Sequence, residues 1–275
     1  MQYRVLKALA LAVFACAIVA GPASAAPSWA PALSATIHPG VQTFTAGAQC
    51  TANFVFYDAS NVYLGQAAHC SGTGTSTDTN GCTSGSLPIG TAVDIGASKP
   101  GTLVYNSWLT MQSKGETDAD TCAYNDIGLI KLDPADVGKV DPTVPGFGGP
   151  AGVGGAGALA TVFSYGNSSL RAGIGQLSPK QGLVLQVAGG GWSRTVLTIT
   201  PGIPGDSGSG FMNGSGQAIG VLSTLAVLPL PLTNGVGDLG RELAYMRAHT
   251  SFTSVQLVNG LKPFKANLLG AILGG

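Results

Sequence analysis

Short runs of aromatic and β-branched residues, separated by turn residues, recur along the chain from Phe44 onward. The runs at 51–57 and 62–67 are joined by the turn cluster Asp-Ala-Ser-Asn. Runs of this length and residue type predict β-strands. Further runs of the same kind predict strands at 92–95, 101–105, 126–132, 160–165, 182–187, 194–199, 208–212 and 218–225.

One segment has helical periodicity instead. Leu239, Leu243 and Met246 recur at spacings of four and three residues, which predicts a helix over 239–249. Because the predicted strands follow one another without long helices between them, the pattern favours a sandwich or barrel over a parallel sheet. We expect an all-β chain of two packed antiparallel β-barrels with a short late helix.

Glycine-rich stretches indicate how the chain is divided. Residues 71–90 consist almost entirely of small polar residues and predict a long exposed loop, with Cys82 in its middle. GFGGPAGVGGAG at 146–157 has the composition of a linker. We expect a cleft between two barrels to hold the functional site. The expected segments are a leader or arm at 26–35, a first barrel at 36–140, a Gly/Pro-rich linker at 141–157, a second barrel at 158–265 and an apolar Gly-rich tail at 266–275.

The first 25 residues have the features of a secretory signal peptide. Arg4 and Lys7 precede an apolar stretch at 8–20, and a small-x-small cleavage sequence ends at Ala25. We expect cleavage near Ala25 and a secreted, extracellular product. A lipoprotein site at Cys16 is a weaker alternative, because the apolar run continues past it. No later segment has about 18 consecutive apolar residues, so we expect no membrane association.

Composition excludes several classes of protein. The 42 Gly and 16 Pro residues make up about a fifth of the 275 positions, which argues against a helical bundle or coiled coil. With 45% hydrophobic and 9% charged residues, the chain is too apolar to be disordered. Without the signal peptide its net charge is about −2, so no strong field attracts nucleic acid or membrane. We expect a monomer with neither as a partner.

Four cysteines remain after the signal peptide, at positions 50, 70, 82 and 122. In an exported protein this number indicates two disulfides, with three possible pairings. A zinc site is the competing interpretation, but the spacings contain no C-x-x-C pair. We therefore expect no metal site and no cofactor.

Gly205-Asp206-Ser207-Gly208 is a candidate nucleophile turn, placed before a predicted strand. Serine needs a neighbouring base to act as a nucleophile, and backbone N–H groups to stabilise the developing oxyanion. The glycines allow a turn so tight that the N–H groups of Gly205 and Ser207 can point together. The same residue types also form ordinary surface turns, so this string alone does not decide the matter.

Two further strings supply a candidate base and a residue to orient it. Ala-Ala-His69-Cys70 ends the predicted strand at 62–67, and Asp126 heads the apolar run at 126–132. Imidazole acts as a general base when its geometry is held, and an aspartate beside it can fix its tautomer. A lone histidine is more often a surface or core residue, and an aspartate at a strand head is normally a cap.

His69, Asp126 and Ser207 occur in this order, separated by 57 and 81 residues. The order, with the local sequences AAHC, NDIGLIKL and GDSG, resembles the chymotrypsin-like serine peptidases, in particular their bacterial secreted members. The resemblance covers about residues 50–225. It implies two antiparallel β-barrels with the site in the cleft between them, and a secreted serine endopeptidase that acts on polypeptides.

The resemblance also implies a role for each residue. Ser207 would be the nucleophile, His69 the general base, and Asp126 the residue that orients His69. The N–H groups of Gly205 and Ser207 would form the oxyanion hole, while Asp206 would hold the loop. A disulfide between Cys50 and Cys70 would lie beside the histidine, which leaves Cys82 and Cys122 as the second pair.

Departures from the family pattern concern specificity. Pro201 stands where trypsin-type members have an aspartate, so we expect no preference for Lys or Arg. Ile203 replaces a cysteine that braces the primary pocket, and Ser209 replaces a second glycine. Ser223 resembles the strand residue that lines the substrate main chain. Leu225 stands where a glycine usually opens the pocket, so we expect a shallow pocket for small or apolar side chains.

Activation departs as well. No Lys or Arg occurs between Ala26 and Lys99, so a tryptic cut cannot free an amino terminus to pair with Asp206. Some other group must satisfy that carboxylate, and the sequence does not indicate which.

Two other functions compete with a peptidase. A catalytically silent secreted binding protein on the same fold is the main alternative, because Pro201, Ser209 and Leu225 would change the substrate site. A secreted lipase or esterase is less consistent, since such enzymes have the order Ser, Asp, His in an α/β fold.

Overall fold

The computed structural model describes residues 27–75, 78–97, 99–225 and 233–274. The expected signal peptide at 1–25 lies outside these ranges. The longest helix in them has 11 residues, and none combines the length and the hydropathy that crossing a bilayer requires.

The first unit is an eight-stranded antiparallel sheet. Its strands are β1 (Gln42–Thr45), β2 (Ala48–Thr51), β3 (Val55–Tyr57), β4 (Val62–Gln66), β5 (Ala92–Asp94), β6 (Gly101–Asn106), β7 (Gly128–Lys131) and β14 (Gln256–Leu257). They lie in the order β14-β3-β4-β7-β6-β5-β1-β2. Since β14 pairs with β3, the segment around residue 256 returns to the first sheet.

The second unit is a closed antiparallel barrel. Its strands are β8 (Thr161–Tyr165), β9 (Pro179–Ala188), β10 (Ser193–Thr198), β11 (Gly210–Asn213), β12 (Ala218–Leu225) and β13 (Thr233–Asp238). Around the barrel the order is β10-β13-β12-β11-β8-β9. The predicted fold class, all-β with two antiparallel β-units and a late helix, is confirmed.

Most predicted strands agree with the observed ones to within three residues, and β12 matches at both ends. The predicted run at 51–57 is divided between β2, which ends at Thr51, and β3, which begins at Val55. Between them the side-chain oxygen of Asn53 accepts the N–H of Phe54 at 2.7 Å. β13 has the sequence TNGVGD, which contains little that predicts a strand. Its ladders with β10 and β12 supply the backbone hydrogen bonds that its residue types do not favour.

Four α-helices accompany the strands in the described ranges: α1 (Ser107–Lys114), α2 (Ala119–Tyr124), α3 (Leu239–His249) and α4 (Leu268–Ile272). The prediction of α3 is confirmed at both ends, and the side chain of Asp238 caps it. The apolar pattern does not predict α1 and α2. Both depend on caps: Asn106 accepts from the first turn of α1, and Asp118 accepts from Thr121 in α2.

The main apolar cluster joins the two units. It contains Phe54 and Ile127, which directly precede β3 and β7 of the first sheet, Phe163 and Val221 from the barrel, and Leu243 from α3. A second cluster fills the first sheet and a third fills the barrel. The C-terminal tail packs rather than projecting, and Ala271 of α4 lies so close to Gly146 of the linker that a Cβ at Gly146 would be 2.8 Å from it.

Candidate active site

His69 lies in a 3-10 turn, Ala68–Ser71, that follows the fully buried strand β4. Two links hold this turn. Cys70 forms a disulfide with Cys50, at a Cα–Cα distance of 6.1 Å, and the N–H of Ala68 donates to the carbonyl of Asp126 at 3.2 Å. The backbone that carries the imidazole is therefore fixed on both sides of residue 69.

Asp126 lies between α2 and β7, almost completely buried, and both of its carboxylate oxygens are bonded to His69. Oδ2 lies 2.6 Å from the ring Nδ1, and Oδ1 accepts the backbone N–H of His69 at 2.9 Å. The hydroxyl of Ser223, in β12 of the barrel, donates to the same Oδ2 at 2.5 Å. The aspartate is thus held by groups from both β-units.

The electrostatics around His69 favour its charged form. Burial of the ring opposes protonation and is the largest single influence on its pKa. The negative charge of Asp126 and its hydrogen bond together outweigh burial, so the pKa of His69 is raised above its ordinary value of 6.5. The side chain is 24% exposed, which leaves it partly accessible.

Ser207 lies in a turn between two glycines with positive φ, Gly205 at 94° and Gly208 at 88°. The carbonyl of Ser207 accepts the N–H of Thr51 at 2.8 Å. A Cβ at Gly208 would be 2.9 Å from the backbone nitrogen of Ala67, so the turn packs directly on the segment that leads to His69. Within the described ranges, the hydrogen-bond partner of the His69 ring is Asp126 and not Ser207.

The backbone N–H groups of this turn fall into two sets. Those of Asp206 and Gly208 donate to the carbonyls of Ile203 and Leu222, at 2.9 and 2.7 Å. Those of Gly205 and Ser207 have no acceptor among the residues that the structure describes. These two N–H groups are therefore unused by the turn itself.

Asp206 is completely buried and has two cationic partners. Its Oδ2 lies 2.6 Å from the guanidinium of Arg171 and 3.0 Å from the ammonium of Lys180. The N–H groups of Ser168 and Ile203 donate to the same carboxylate, at 3.0 and 3.1 Å. Asp206 is therefore satisfied by side chains of the barrel, without a free amino terminus.

The residues expected to form the primary pocket lie around the same loop. The carbonyl of Pro201 accepts from Arg171 at 3.1 Å and from Lys180 at 3.3 Å. Leu225 ends β12 and is 39% exposed. Its neighbour in β13, Asn234, accepts the N–H of Gly202 at 2.9 Å.

Asn234 also donates to the carbonyl of Thr224 at 3.3 Å. It thereby joins the loop around Ile203 to the strand opposite. In the family that the sequence resembles, a cysteine at the position of Ile203 braces this loop. Here the hydrogen bonds of Asn234 make such a connection, which the sequence did not indicate.

The second disulfide joins Cys82 and Cys122, at a Cα–Cα distance of 5.2 Å. It connects the polar loop at 71–90 to α2, which ends two residues before Asp126. One group of potential metal ligands is close together among the described residues, namely Cys50, His69 and Cys70. Both of its sulfurs are in the first disulfide, which leaves no thiolate to bind a metal.

No protein-family model and no curated protein matches the sequence. Among solved structures, Thermobifida fusca protease A is 17% identical and matches 82% of this chain and 99% of its own, with a TM-score of 0.54. Nocardiopsis protease is 16% identical and matches 80% of this chain and 98% of its own, with a TM-score of 0.52.

A chymotrypsin from Cellulomonas bogoriensis is 15% identical and matches 81% of this chain and 98% of its own, with a TM-score of 0.50. The chain has the chymotrypsin-like fold. At these identities the likeness is one of fold, and a fold by itself does not fix the chemistry of a site.

Within the chymotrypsin-like fold, sequence reasoning missed three residues that support the loop before Ser207: Arg171, Lys180 and Asn234. One signal existed for Lys180. It lies four residues before buried Val184 in β9, so alternation along the strand places both on the core face. A lysine in that position needs a buried carboxylate, and Asp206 is the acid it meets.

Proposed function

We propose that this chain is a secreted serine endopeptidase that uses His69, Asp126 and Ser207 as a catalytic triad. The observation that carries the proposal is the geometry around Asp126, whose two oxygens bind the ring and the backbone of His69. That arrangement leaves Nε2 as the ring nitrogen available to Ser207. The packing of the Ser207 turn on the segment before His69 supports the same assignment.

In the proposed reaction, Oγ of Ser207 forms a bond to the carbonyl carbon of the substrate while its proton passes to Nε2 of His69. The N–H groups of Gly205 and Ser207 donate to the oxyanion. The C–N bond then breaks, and His69 gives its proton to the leaving amine. Water repeats the sequence on the acyl-enzyme, releasing the acid and restoring Ser207.

The raised pKa of His69 suits this role, because the imidazolium that forms in the first step is stabilised by Asp126. The short bond from Ser223 to Asp126 holds the carboxylate in the orientation that receives Nδ1–H. Lys and Arg are disfavoured at the cleaved position, because Pro201 offers no carboxylate to pair with them. The carbonyl of Pro201 already accepts from two cations, Arg171 and Lys180, of which Asp206 balances only one charge. We propose small or apolar side chains there.

A fluorophosphonate probe tests the assignment. The purified secreted protein is expected to be labelled, and Ser207→Ala is expected to abolish labelling. Ser215→Ala, in an exposed turn outside the site, is the matched control and should label normally. Hydrolysis should fall by about 10⁶ in Ser207→Ala or His69→Ala. Normal turnover in either variant would show the triad to be wrong, and folded wild type that takes up no probe would favour the silent binding protein.

Specificity, processing and association are tested separately. A peptide-library cleavage profile should show internal cleavage without a preference for Lys or Arg. Amino-terminal sequencing of the secreted product should begin close to Ala26, and sedimentation should give a monomer. A strong preference for basic side chains would contradict the argument from Pro201.

A further inference from the structure

Glu242 is a fully buried acid in α3 that the proposed mechanism does not use. Its Oε1 accepts the backbone N–H of Asp126 at 3.1 Å. Its Oε2 has no hydrogen-bond partner among the described residues. A buried carboxyl group is costly unless it is satisfied or neutral, so its position behind Asp126 calls for an explanation.

The other polar groups of Asp126 already have partners. Its side chain is bonded to His69 and Ser223, and its carbonyl accepts from Ala68. Glu242 supplies the acceptor for the one remaining group, the backbone N–H. Because α3 follows the barrel in the chain, this bond connects the last long helix to the residue that heads β7 in the first sheet.

The fold leaves space for this contact at a glycine. A Cβ at Gly237 would be 2.6 Å from Oε1 of Glu242 and 3.0 Å from the carbonyl of Tyr124. Any larger residue at position 237 would therefore displace the carboxyl group or the end of α2. The absence of a side chain there is a condition for the bond between Glu242 and Asp126.

The charge state of Glu242 follows from its surroundings. Burial is the largest influence and raises its pKa, the hydrogen bond from Asp126 lowers it, and the negative charges of Asp126 and Asp238 raise it further. The net result is a pKa well above 4.5. Tyr105 of β6 faces the same group, and burial and then the charge of Glu242 raise its pKa as well. Burial and the negative charges of Asp126 and Asp238 therefore favour the neutral form of Glu242.

We propose that Glu242 is a positioning residue for the triad, which anchors the backbone of Asp126 and so holds its carboxylate against His69. The inference rests on the proposed peptidase function. In this role α3 acts on the reaction through one hydrogen bond, from the N–H of Asp126 to Glu242. A neutral acceptor at position 242 is sufficient to make that bond.

Two substitutions at position 242 test this. Glu242→Leu has similar volume and no acceptor, and is expected to lower kcat about tenfold, the effect of one lost hydrogen bond, with KM unchanged. In this variant the acid limb of the profile of kcat/KM against pH should move to lower pH by about half a unit, because Asp126 stabilises the imidazolium of His69 less well. Glu242→Gln keeps a neutral carbonyl acceptor and should restore most of the lost kcat.

A general weakening of α3 must be separated from the specific effect. Leu243→Ala removes a neighbouring buried side chain of α3 and should lower the melting temperature without moving the acid limb. Gly237→Ala keeps the carboxyl group of Glu242 but places a Cβ against it. This variant should show the same shift of the acid limb as Glu242→Leu. The proposal would be overturned if Glu242→Leu kept the kcat and the acid limb of the wild type. It would also be overturned if Glu242→Gln lost as much kcat as Glu242→Leu.

A second readout does not require turnover. The NMR resonance of the His69 Nδ1 proton reports its bond to Asp126 directly. It should shift in Glu242→Leu and return in Glu242→Gln. An unchanged resonance in Glu242→Leu overturns the positioning role even if the wild type proves inactive. A shifted resonance in a protein that takes up no fluorophosphonate overturns the peptidase function alone.

Discussion

The guanidinium of Arg171 lies 2.6 Å from Oδ2 of Asp206, with side chains that are 7% and 0% exposed. Asp206 directly precedes Ser207, so this ion pair supports the turn that carries the proposed nucleophile. It also meets the requirement that the sequence left open, since no tryptic cut can free an amino terminus to pair with Asp206. The carboxylate of Asp206 therefore has cationic partners that do not depend on proteolytic activation of that kind.

Arg171→Met should destabilise the fold strongly. The variant loses the guanidinium hydrogen bonds to buried Asp206 and to the carbonyl of Pro201. Lys180 still compensates the charge of Asp206, so we expect a loss of about 1.5–3 kcal/mol, the value for a hydrogen bond to a charged group. Lys99→Met is the matched control, because Lys99 and Asp133 are partly exposed at 3.3 Å and such pairs contribute less than about 1 kcal/mol. Urea unfolding measures both. Equal losses in the two variants would contradict the role given to Arg171.

Lys180 should make stability depend on pH in the alkaline range. Burial lowers its pKa most, the charge of Asp206 raises it and that of Arg171 lowers it, which brings the pKa from 10.5 to about 8. Above about pH 8 the unfolded chain therefore binds more protons than the native one, and the free energy of unfolding rises with pH.

That rise should approach about 1.4 kcal/mol per pH unit between about pH 8 and pH 10 from this group alone. Lys180→Met should remove this rise in the free energy of unfolding, while Arg171 continues to pair with Asp206. Urea unfolding of both proteins across this range gives the difference in slope. Parallel dependences in wild type and variant would show that Lys180 does not titrate there.

Activity should be lost on the acid side as His69 becomes protonated. Since the neutral ring is the base and the pKa of His69 is raised, the midpoint of the acid limb of kcat/KM should lie above 6.5. Asp126→Asn removes the charge that raises this pKa, so the limb should move down and kcat should fall by about 10⁴. His249→Gln, a control at the end of α3, should leave the profile unchanged. A limb that stays in place in Asp126→Asn would argue against the pairing.

Loss of the second disulfide should lower stability more than its exposed loop suggests. Cys82 and Cys122 are 40 residues apart, and closing a loop of that length restricts the unfolded chain by about 4 kcal/mol. The double variant with alanine at both positions should therefore unfold at lower urea concentration. An unchanged midpoint would mean that the loop is held by other contacts, such as those of Gln112 with the carbonyls of Gly81 and Ser84.

Local patterns were sufficient for much of the fold. β12 and α3 are predicted at both ends. β12 is a short apolar run whose first five residues are all buried, and α3 buries a face whose helical period is visible in the sequence. β13 and α1 are not, because ladder partners stabilise the first and an asparagine cap begins the second. Such partners lie outside the window that a periodic pattern covers.

The sequence by itself determined the class of fold and the order of His69, Asp126 and Ser207. It also predicts an export signal. These depend on composition, period and short motifs, which are properties of neighbouring residues. Only the tertiary structure decided what holds them. Arg171, Lys180, Asn234 and Glu242 each act on a residue at least 26 positions away, and a buried polar group takes its partner from whatever the packed chain brings within about 3 Å.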